Sequence, residues 1–344
     1  MDLAEFDYEL PPAAIAQQPA PDRDGSRLLV IDRQRRTLAD HAFRDLPGLL
    51  RPGDCVVVND SRVIPARVLA RDPQRRPVEL LFVEPEAQGR WRALVRPGRR
   101  VRVGLPLTLG GEEGPNLLVT GVQSDGTRVI ERRDGTIEDL LDAYGQPPLP
   151  PYIARPVKPE PEDWDRYQTV YARLPGSVAA PTAGLHFTPT GLDRLRARGI
   201  EVHALTLHVG PATFQPVRVA NVAHHVVAPE RAVIPPAVAT AVTRARAEGR
   251  RVVAVGTTTT RALEAAATPD GRVEPIAGTV EITITPGYVF RAVDALVTNF
   301  HLPRSSLLLL VSAFASRSLV LDAYRYAVGA GYRFYSYGDT TLIV

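Results

Sequence analysis

Three histidines stand where an imidazole could move protons: His186 in GSVAAPTAGLHFTP, His208 in LTLHVGPATF and His301 in VTNFHLPRSS. Imidazole changes charge near neutral pH, so three rings meeting at one mouth would form a proton-transfer site. Each ring taken singly also fits a satisfied structural histidine, and no ligand spacing among them supports zinc. Around His186 the small residues Ala179, Ala180, Ala183 and Gly184 would let a bulky ligand lie against the backbone. A second candidate is VVAVGTTTTRALEA (252 to 265), where a strand turns at Gly256 into a helix. Its first-turn amides, Thr257, Thr258 and Arg261 could face a carboxylate or phosphate, and ordinary threonine capping is the competing reading. Arg304, Ser305 and Ser306 ahead of an apolar helix offer a similar end. Asp60 in VVVNDSRVIPAR and Asp339 in YSYGDTTLI are each either a base or ribose ligand or a turn former.

These residues need elements to position them. From about residue 199 the chain alternates strand and helix patterns: GIEVHALTLHVG, PPAVATAVTRARAEG ending at Gly249, RRVVAVG, TTTTRALEAAA, DALVTNF, PRSSLLLLVSAFAS and LVLDAYRYAVGAG, with YRFYSYGDTTLIV closing in strands. DCVVVND reads as a buried strand carrying Cys55. Such alternation predicts an α/β sheet domain, in which ligands bind outside the carboxyl ends of strands, and His208 and His301 meet that condition. His186 precedes a helix start, with Thr188 as N-cap and Pro189 in the first turn.

Residues from about Val63 to Arg133 differ. VIPARVLA, PVELLFVE, RWRALVR, RVRVG, NLLVTGV and TRVIER are short strand patterns separated by turn residues, the signature of a small barrel or sandwich. The expected organisation is therefore α/β, a larger sheet domain formed by residues 1–62 and 154–344 with a β-barrel inserted at 63–153. The Pro-rich linker 145 to 163 returns the chain.

Composition narrows the function. One cysteine allows no intrachain disulfide and no multi-cysteine zinc site. The run Leu307 to Val311 falls far short of the ~20 apolar residues of a bilayer span, and the acidic MDLAEFDYELPP lacks the features of a signal peptide. A cytoplasmic protein without a membrane segment is expected. Of 41 basic residues only Lys158 is lysine, a pattern a codon bias explains, so only local arginine clustering is informative. Eleven arginines between Arg62 and Arg102, Arg99 and Arg100 among them, together with Trp91, would suit a nucleic-acid backbone, and equally a solvated face. No G-x-G-x-x-G after a strand, P-loop, H-E-x-x-H or nucleophile elbow is present, which disfavours dinucleotide redox and P-loop hydrolysis.

FDYELPPAAIAQQPAPDRDGSRLLVIDR, VVNDSRVIPAR, PPLPPYIARP, RYQTVYARLPGSVAAPTAGLHFTP, LTLHVGPATFQPV, VAVGTTTTRALEAA, TPGYVFRAVDALVTNFHLPRSSLLLLVSAFAS and YRFYSYGDTTLIV, in this order, resemble the S-adenosylmethionine:tRNA ribosyltransferase-isomerase (QueA) family of queuosine synthesis. The resemblance runs nearly end to end. It implies transfer and isomerisation of the ribosyl part of S-adenosylmethionine onto 7-aminomethyl-7-deazaguanine at the tRNA wobble position. The product is epoxyqueuosine, with adenine and methionine released. It implies S-adenosylmethionine as co-substrate, precursor tRNA as partner, no metal, and an α/β domain with an inserted barrel; we expect a monomer. It makes His186, His208 and His301 the candidate proton carriers, and Asp60, Arg62, Thr182, Gly184, Thr257, Thr258, Arg261, Asn299 and Asp339 the candidate substrate contacts, with Thr257, Thr258 and Arg261 on the methionine carboxylate.

Two segments depart from the family pattern. VVAPERAVIP (226 to 235) stands where Met-His-Ser-Glu is usual and keeps only Glu230; VEITITPG (280 to 287) stands for Thr-Asp-Ile-Phe-Ile-Tyr-Pro-Gly and puts Glu281 at the Asp. Arg261 is kept. The departures leave two other readings open: a paralog using another acceptor, and a silent RNA-binding protein.

Overall fold

The computed structural model describes residues 1–110, 114–155, 159–211 and 217–344; residues 156–158 of the linker, with Lys158, and 212–216 of the LTLHVGPATFQPV stretch lie outside them. In chain order, β1 (Arg27–Asp32) and β2 (Thr37–Ala42) form an antiparallel pair, and α1 (Leu46–Leu49) leads to β3 (Cys55–Asn59). β3 is buried at all five positions, as its unbroken β-branched run requires of a strand covered on both faces. β4 (Ser61–Val63) then leaves the sheet.

Six strands follow: β5 (Arg67–Arg71), β6 (Pro77–Pro85), β7 (Trp91–Arg96), β8 (Pro106–Thr108), β9 (Asn116–Val122) and β10 (Arg128–Arg132). They close an antiparallel barrel in the order β10-β7-β6-β5-β8-β9, around Val68, Leu80, Phe82, Ala93 and Val119. Closure leaves no free sheet edge on this small unit. α2 (Ile137–Tyr144) adds Ile137, Leu140 and Leu141 to its core. RVRVG is not a strand. Arg99 and Arg100 lie in a 3-10 turn, Val101 dips into the core and Gly104 reverses the chain at φ 84°, so β8 supplies the closing strand.

After α3 (Pro161–Arg166), β11 (Leu174–Ser177) pairs in parallel with β4. The remaining elements are α4 (Pro189–Ala197), β12 (Glu201–Leu207), β13 (Glu230–Ile234), α5 (Pro236–Ala247), β14 (Val252–Val255), α6 (Thr257–Ala266), β15 (Ile276–Val280), β16 (Ala295–Asn299), α7 (Ser306–Ala315), α8 (Arg317–Gly329) and β17 (Thr340–Ile343). The large sheet runs β15-β13-β12-β3-β14-β16-β17-β1-β2. Neighbouring residues of its central strands feed opposite cores: Cys55, Val57, Val252 and Ala254 face α5 to α8, whereas Val56, Val58, Val253 and Val255 face α4. Of YRFYSYGDTTLIV only the last residues form a strand. Residues 332–339 make a loop because Tyr335 and Gly338 turn the chain and the Asp339 carboxylate accepts the Arg27 and Arg333 N–H groups at 2.9 and 2.8 Å.

β12, β3, β14 and β16 are mutually parallel, so Leu207, Asn59, Val255 and Asn299 end on one edge. The antiparallel β17 begins there, with Thr340 opposite Asn299, and parallel β1 brings Ser26 and Arg27 to the same edge. Among the described residues no single helix is long and apolar enough to cross a membrane; α7 and α8 meet that composition only together, bent by 114°, and both feed the core.

Candidate active site

The strand-end edge opens into a cleft lined by Gly256, Thr257 and Thr258 from the turn into α6, by Thr298, Asn299 and His301 after β16, and by Ala180 to Ala183 of the small-residue loop. The cleft, mouth included, holds about 510 Å³. Local sequence explains each wall. Gly256 takes φ 91°, a left-handed angle that costs glycine little, and turns β14 directly into α6 so that the helix amides point at the cleft. Ser305 caps α7 by accepting the Leu308 N–H at 3.2 Å. The small loop coils into a 3-10 turn over Thr182–His186 before Thr188 caps α4, as the sequence predicts, with Pro189 at its start.

The three histidines do not meet at one mouth. His301 lines the cleft, its Nε2 3.0 Å from the Thr298 hydroxyl; Tyr8 donates to its carbonyl and its N–H donates to the Tyr324 oxygen at 3.2 Å. His186 lies behind the cleft. Its Nδ1 is 2.7 Å from the Ser26 Oγ, its Nε2 3.3 Å from the Asn299 amide nitrogen, and its ring packs against Phe43. A ring nitrogen that accepts from an amide is unprotonated, so the Asn299 contact favours the neutral ring. Burial lowers both His186 and His301 to about 3, the Arg333 charge adding to the effect at His186. His208 faces a separate cavity, with Nδ1 2.8 Å from the Ser61 hydroxyl, which in turn donates to Ser177 at 2.8 Å. Burial and then Arg231 lower its pKa, and Asp60 opposes them. Each imidazole has taken a hydroxyl partner at its own strand end or loop, and this separates the rings.

The cavity at His208 lies between the barrel and the large sheet. Val83, Glu84 and Arg92 form one wall, and His208, Glu230 and Arg231 another; it holds about 1,320 Å³ with its mouth. Val209 lines both this cavity and the cleft. A third hollow, under the linker, shares Leu94 and Pro211 with the cavity, so the spaces follow one another along the junction of the two parts.

The other candidates fall in several places. Thr182 and Asn299 join at the cleft, the threonine hydroxyl donating to Asn299 Oδ1 at 2.8 Å. Gly184 serves packing: a Cβ there would lie 2.1 Å from the Tyr171 hydroxyl and 2.9 Å from Thr169. Asp60 is buried, with Thr206 on Oδ1 at 2.5 Å and Arg173 on Oδ2 at 2.8 to 3.0 Å. Arg62 is exposed beside Asp142, Trp164 and Gln168, away from the cleft. Asp339 closes its own loop through Arg27 and Arg333. Arg261 points away from the two threonines. Its Nη1 donates to Glu230, its Nε donates to the Ile282 carbonyl at 3.1 Å, and its Nη2 has no partner among the described residues. Glu230 also accepts the Gly210 N–H at 3.1 Å; burial pushes its carboxyl up and Arg261 opposes this. Trp91, a candidate for stacking on nucleic acid, is buried in the barrel with its N–H on Glu138 at 3.2 Å. Barrel arginines 67, 76 and 92 are paired with acids, whereas Arg99 is exposed and Arg100 donates to the Pro77 carbonyl.

Sequence reasoning missed Tyr152, Tyr335 and Ser336 on the cleft, and the hydroxyls of Ser26, Ser61, Ser177 and Thr298 that orient the imidazoles. The hydroxyls had a signal, being polar residues beside otherwise apolar strands; the tyrosines had none. Cys55, Glu201 and His203 group their ligand-type atoms within 4.8 Å at the opposite sheet edge. Arg244 and Arg250 already pair with Glu201, and burial pushes the Cys55 thiol up to about 12, so this group suits a cation poorly.

A mixed α/β sheet with an inserted closed barrel, a helix N-terminus and a neutral imidazole over parallel strand ends, defines the molecule as a two-part α/β enzyme. Residues 3–343 match the family model described as queuosine biosynthesis protein, and the chain belongs to that family. It is 52% identical over 347 residues to the S-adenosylmethionine:tRNA ribosyltransferase-isomerase of Moorella thermoacetica, covering all of both chains. It is 50% identical over 349 residues to the Thermus thermophilus protein of the same name, covering 99% of each. The crystal structure of an S-adenosylmethionine tRNA ribosyltransferase from Thermotoga maritima is similar with a TM-score of 0.56 and 36% identity, over 99% of this chain and 100% of that one.

Proposed function

We propose that this chain transfers and isomerises the ribosyl moiety of S-adenosylmethionine onto 7-aminomethyl-7-deazaguanine in precursor tRNA, giving epoxyqueuosine and releasing adenine and methionine. The observation that carries the reading is the cleft at the ends of β14 and β16, which adjoins the larger cavity through Val209. One space suits the sulfonium nucleoside and the neighbouring one a flipped-out base. The sulfonium acidifies the adjacent C5′ hydrogen, and His301, neutral at physiological pH, takes that proton without adding a positive charge beside the sulfonium beforehand. Loss of adenine follows. His208 in the cavity takes the proton that frees the aminomethyl nitrogen to attack, and methionine departs. His186 positions Asn299 and Thr182. The α6 amides with Thr257 and Thr258 receive the methionine carboxylate, and Arg261 holds Glu230 at the acceptor cavity.

Asp60 and Asp339 act through structure in this reading, Gly184 acts through packing, and Arg62 stands on a separate exposed surface. The enzyme works as a cytoplasmic monomer without metal, with its barrel spanning 63–153. The test is adenine release from S-adenosylmethionine. Release that depends on precursor tRNA and vanishes in His301→Ala with the fold intact is the expected result. Release with a different acceptor would favour the altered wall at Ala228 to Arg231 as a changed specificity, and binding without release would sink the enzymatic reading.

A further inference from the structure

Tyr335 is the one cleft residue other than glycine whose backbone lies at positive φ, 76°, an unusual conformation for a bulky side chain. Its neighbours force it. The Tyr335 N–H donates to the Phe300 carbonyl at 3.1 Å and its carbonyl accepts from Gly338 at 3.0 Å. Gly338 admits no Cβ, which would fall 2.4 to 2.6 Å from the backbone of Arg333 and Phe334. Strain held in place by surrounding bonds at a cleft is a mark of function. The ring is edged by Tyr152 in a T-shaped contact, centroids 3.9 Å apart, and Tyr152 is fixed through its hydroxyl to Ser336. The described residues offer the Tyr335 hydroxyl no hydrogen bond.

Among the described residues lining the cleft none carries a carboxylate, a guanidinium or an ammonium group, and the side chains at Ala180, Ala183 and Gly256 are minimal. Recognition there rests on the rings of Tyr335 and Tyr152, the neutral imidazole of His301, hydroxyls and one amide. That chemistry suits a neutral planar heterocycle with polar edges. We infer that Tyr335, pinned in its left-handed turn, is the stacking platform for the adenine of the sulfonium donor. The inference rests on the proposed reaction and adds a named specificity residue to it. Leaving-group adenine held by stacking and by uncharged hydrogen-bonding groups departs without breaking a charged contact.

The test is calorimetric binding of two unreactive probes, S-adenosylhomocysteine and adenosine, to the wild-type chain, Tyr335→Phe and Tyr335→Leu. Phe keeps the ring and should bind within about threefold of wild type. Leu should weaken both probes by about tenfold or more, the low end of what one base–aromatic stack contributes. Should Leu fail to fold by thermal melting, Tyr335→Asn replaces it, since Asn tolerates positive φ. Undiminished affinity for both probes in the ring-less variant overturns the platform, as does a loss confined to the KM for tRNA, which would assign the ring to the acceptor base. Failure of the reaction itself reads differently: wild-type protein that binds adenosine through Tyr335 yet releases no adenine sinks the transferase chemistry and keeps the stack. Wild-type protein that binds neither probe overturns both.

Discussion

Two buried imidazoles illustrate what a single side chain does here. Unfolded, each of His186 and His301 takes a proton near pH 6.5; folded, each stays neutral down to about pH 3. Between those values the unfolded chain binds more protons, so stability falls as pH drops from 6.5 towards 3, by about 1.4 kcal/mol per pH unit for each ring. Above 6.5 the two contribute no slope. Urea midpoints at pH 5 and pH 7 check this, and His186→Gln should flatten the difference by one ring's share. For the same reason kcat/KM should show no acid limb at 6.5 from His301. Gly184 gives a second residue-scale test. Gly184→Ala pushes a methyl against the Tyr171 hydroxyl, an overpacking cost of about 2 kcal/mol, and Tyr171→Phe should restore at least half of it in a double-mutant cycle. Equal destabilisation in both backgrounds would place the clash on Thr169 rather than on the Tyr171 hydroxyl.

At the scale of elements, α6 joins two functions. Its N-terminus lines the cleft while Arg261, on its next turn, holds Glu230 at the start of β13. Both partners are buried, so removing one leaves an uncompensated charge: Arg261→Met should cost about 3 kcal/mol in urea unfolding. Glu230→Gln should cost less than that if the Gly210 bond survives. The same element is half legible in the sequence. The strand, the Gly256 turn and the helix start follow from pattern and from glycine's freedom at positive φ; the direction of Arg261 depends on β13, which arrives from 31 residues upstream and whose five-residue pattern is too short to stand out. Similarly RVRVG has the alternation of a strand and is a turn, because only the closed barrel decides which segment supplies the sixth edge.

The whole molecule sets two parts around a shared series of spaces, with the barrel's Arg92 wall facing His208 and Glu230. If the barrel also holds the tRNA backbone, reversing Arg99 and Arg100 to Glu should reduce the slope of log Kd against log salt by about 1.5, at roughly 0.7 to 0.9 for each phosphate no longer neutralised. An unchanged slope removes the barrel from the tRNA path. The same measurement on Arg62→Glu probes a separate surface beside Trp164.

Sequence alone determined the alternating α/β half, the strand-rich insertion, the cap at Thr188, the helix start near Ser305 and the family, because periodicity, glycine turns and capping hydroxyls act between residues close along the chain. It also placed His301, Thr257 and Asn299 at strand or helix ends, where parallel strands deliver ligand contacts. Tertiary structure alone decided that His186 stands behind Asn299, that His208 opens on a different space, that Arg261 serves Glu230, and that Tyr335 is turned into the cleft. Those outcomes depend on which distant hydroxyl, carboxylate or carbonyl each polar group finds on burial, and desolvation makes that choice across hundreds of residues of separation.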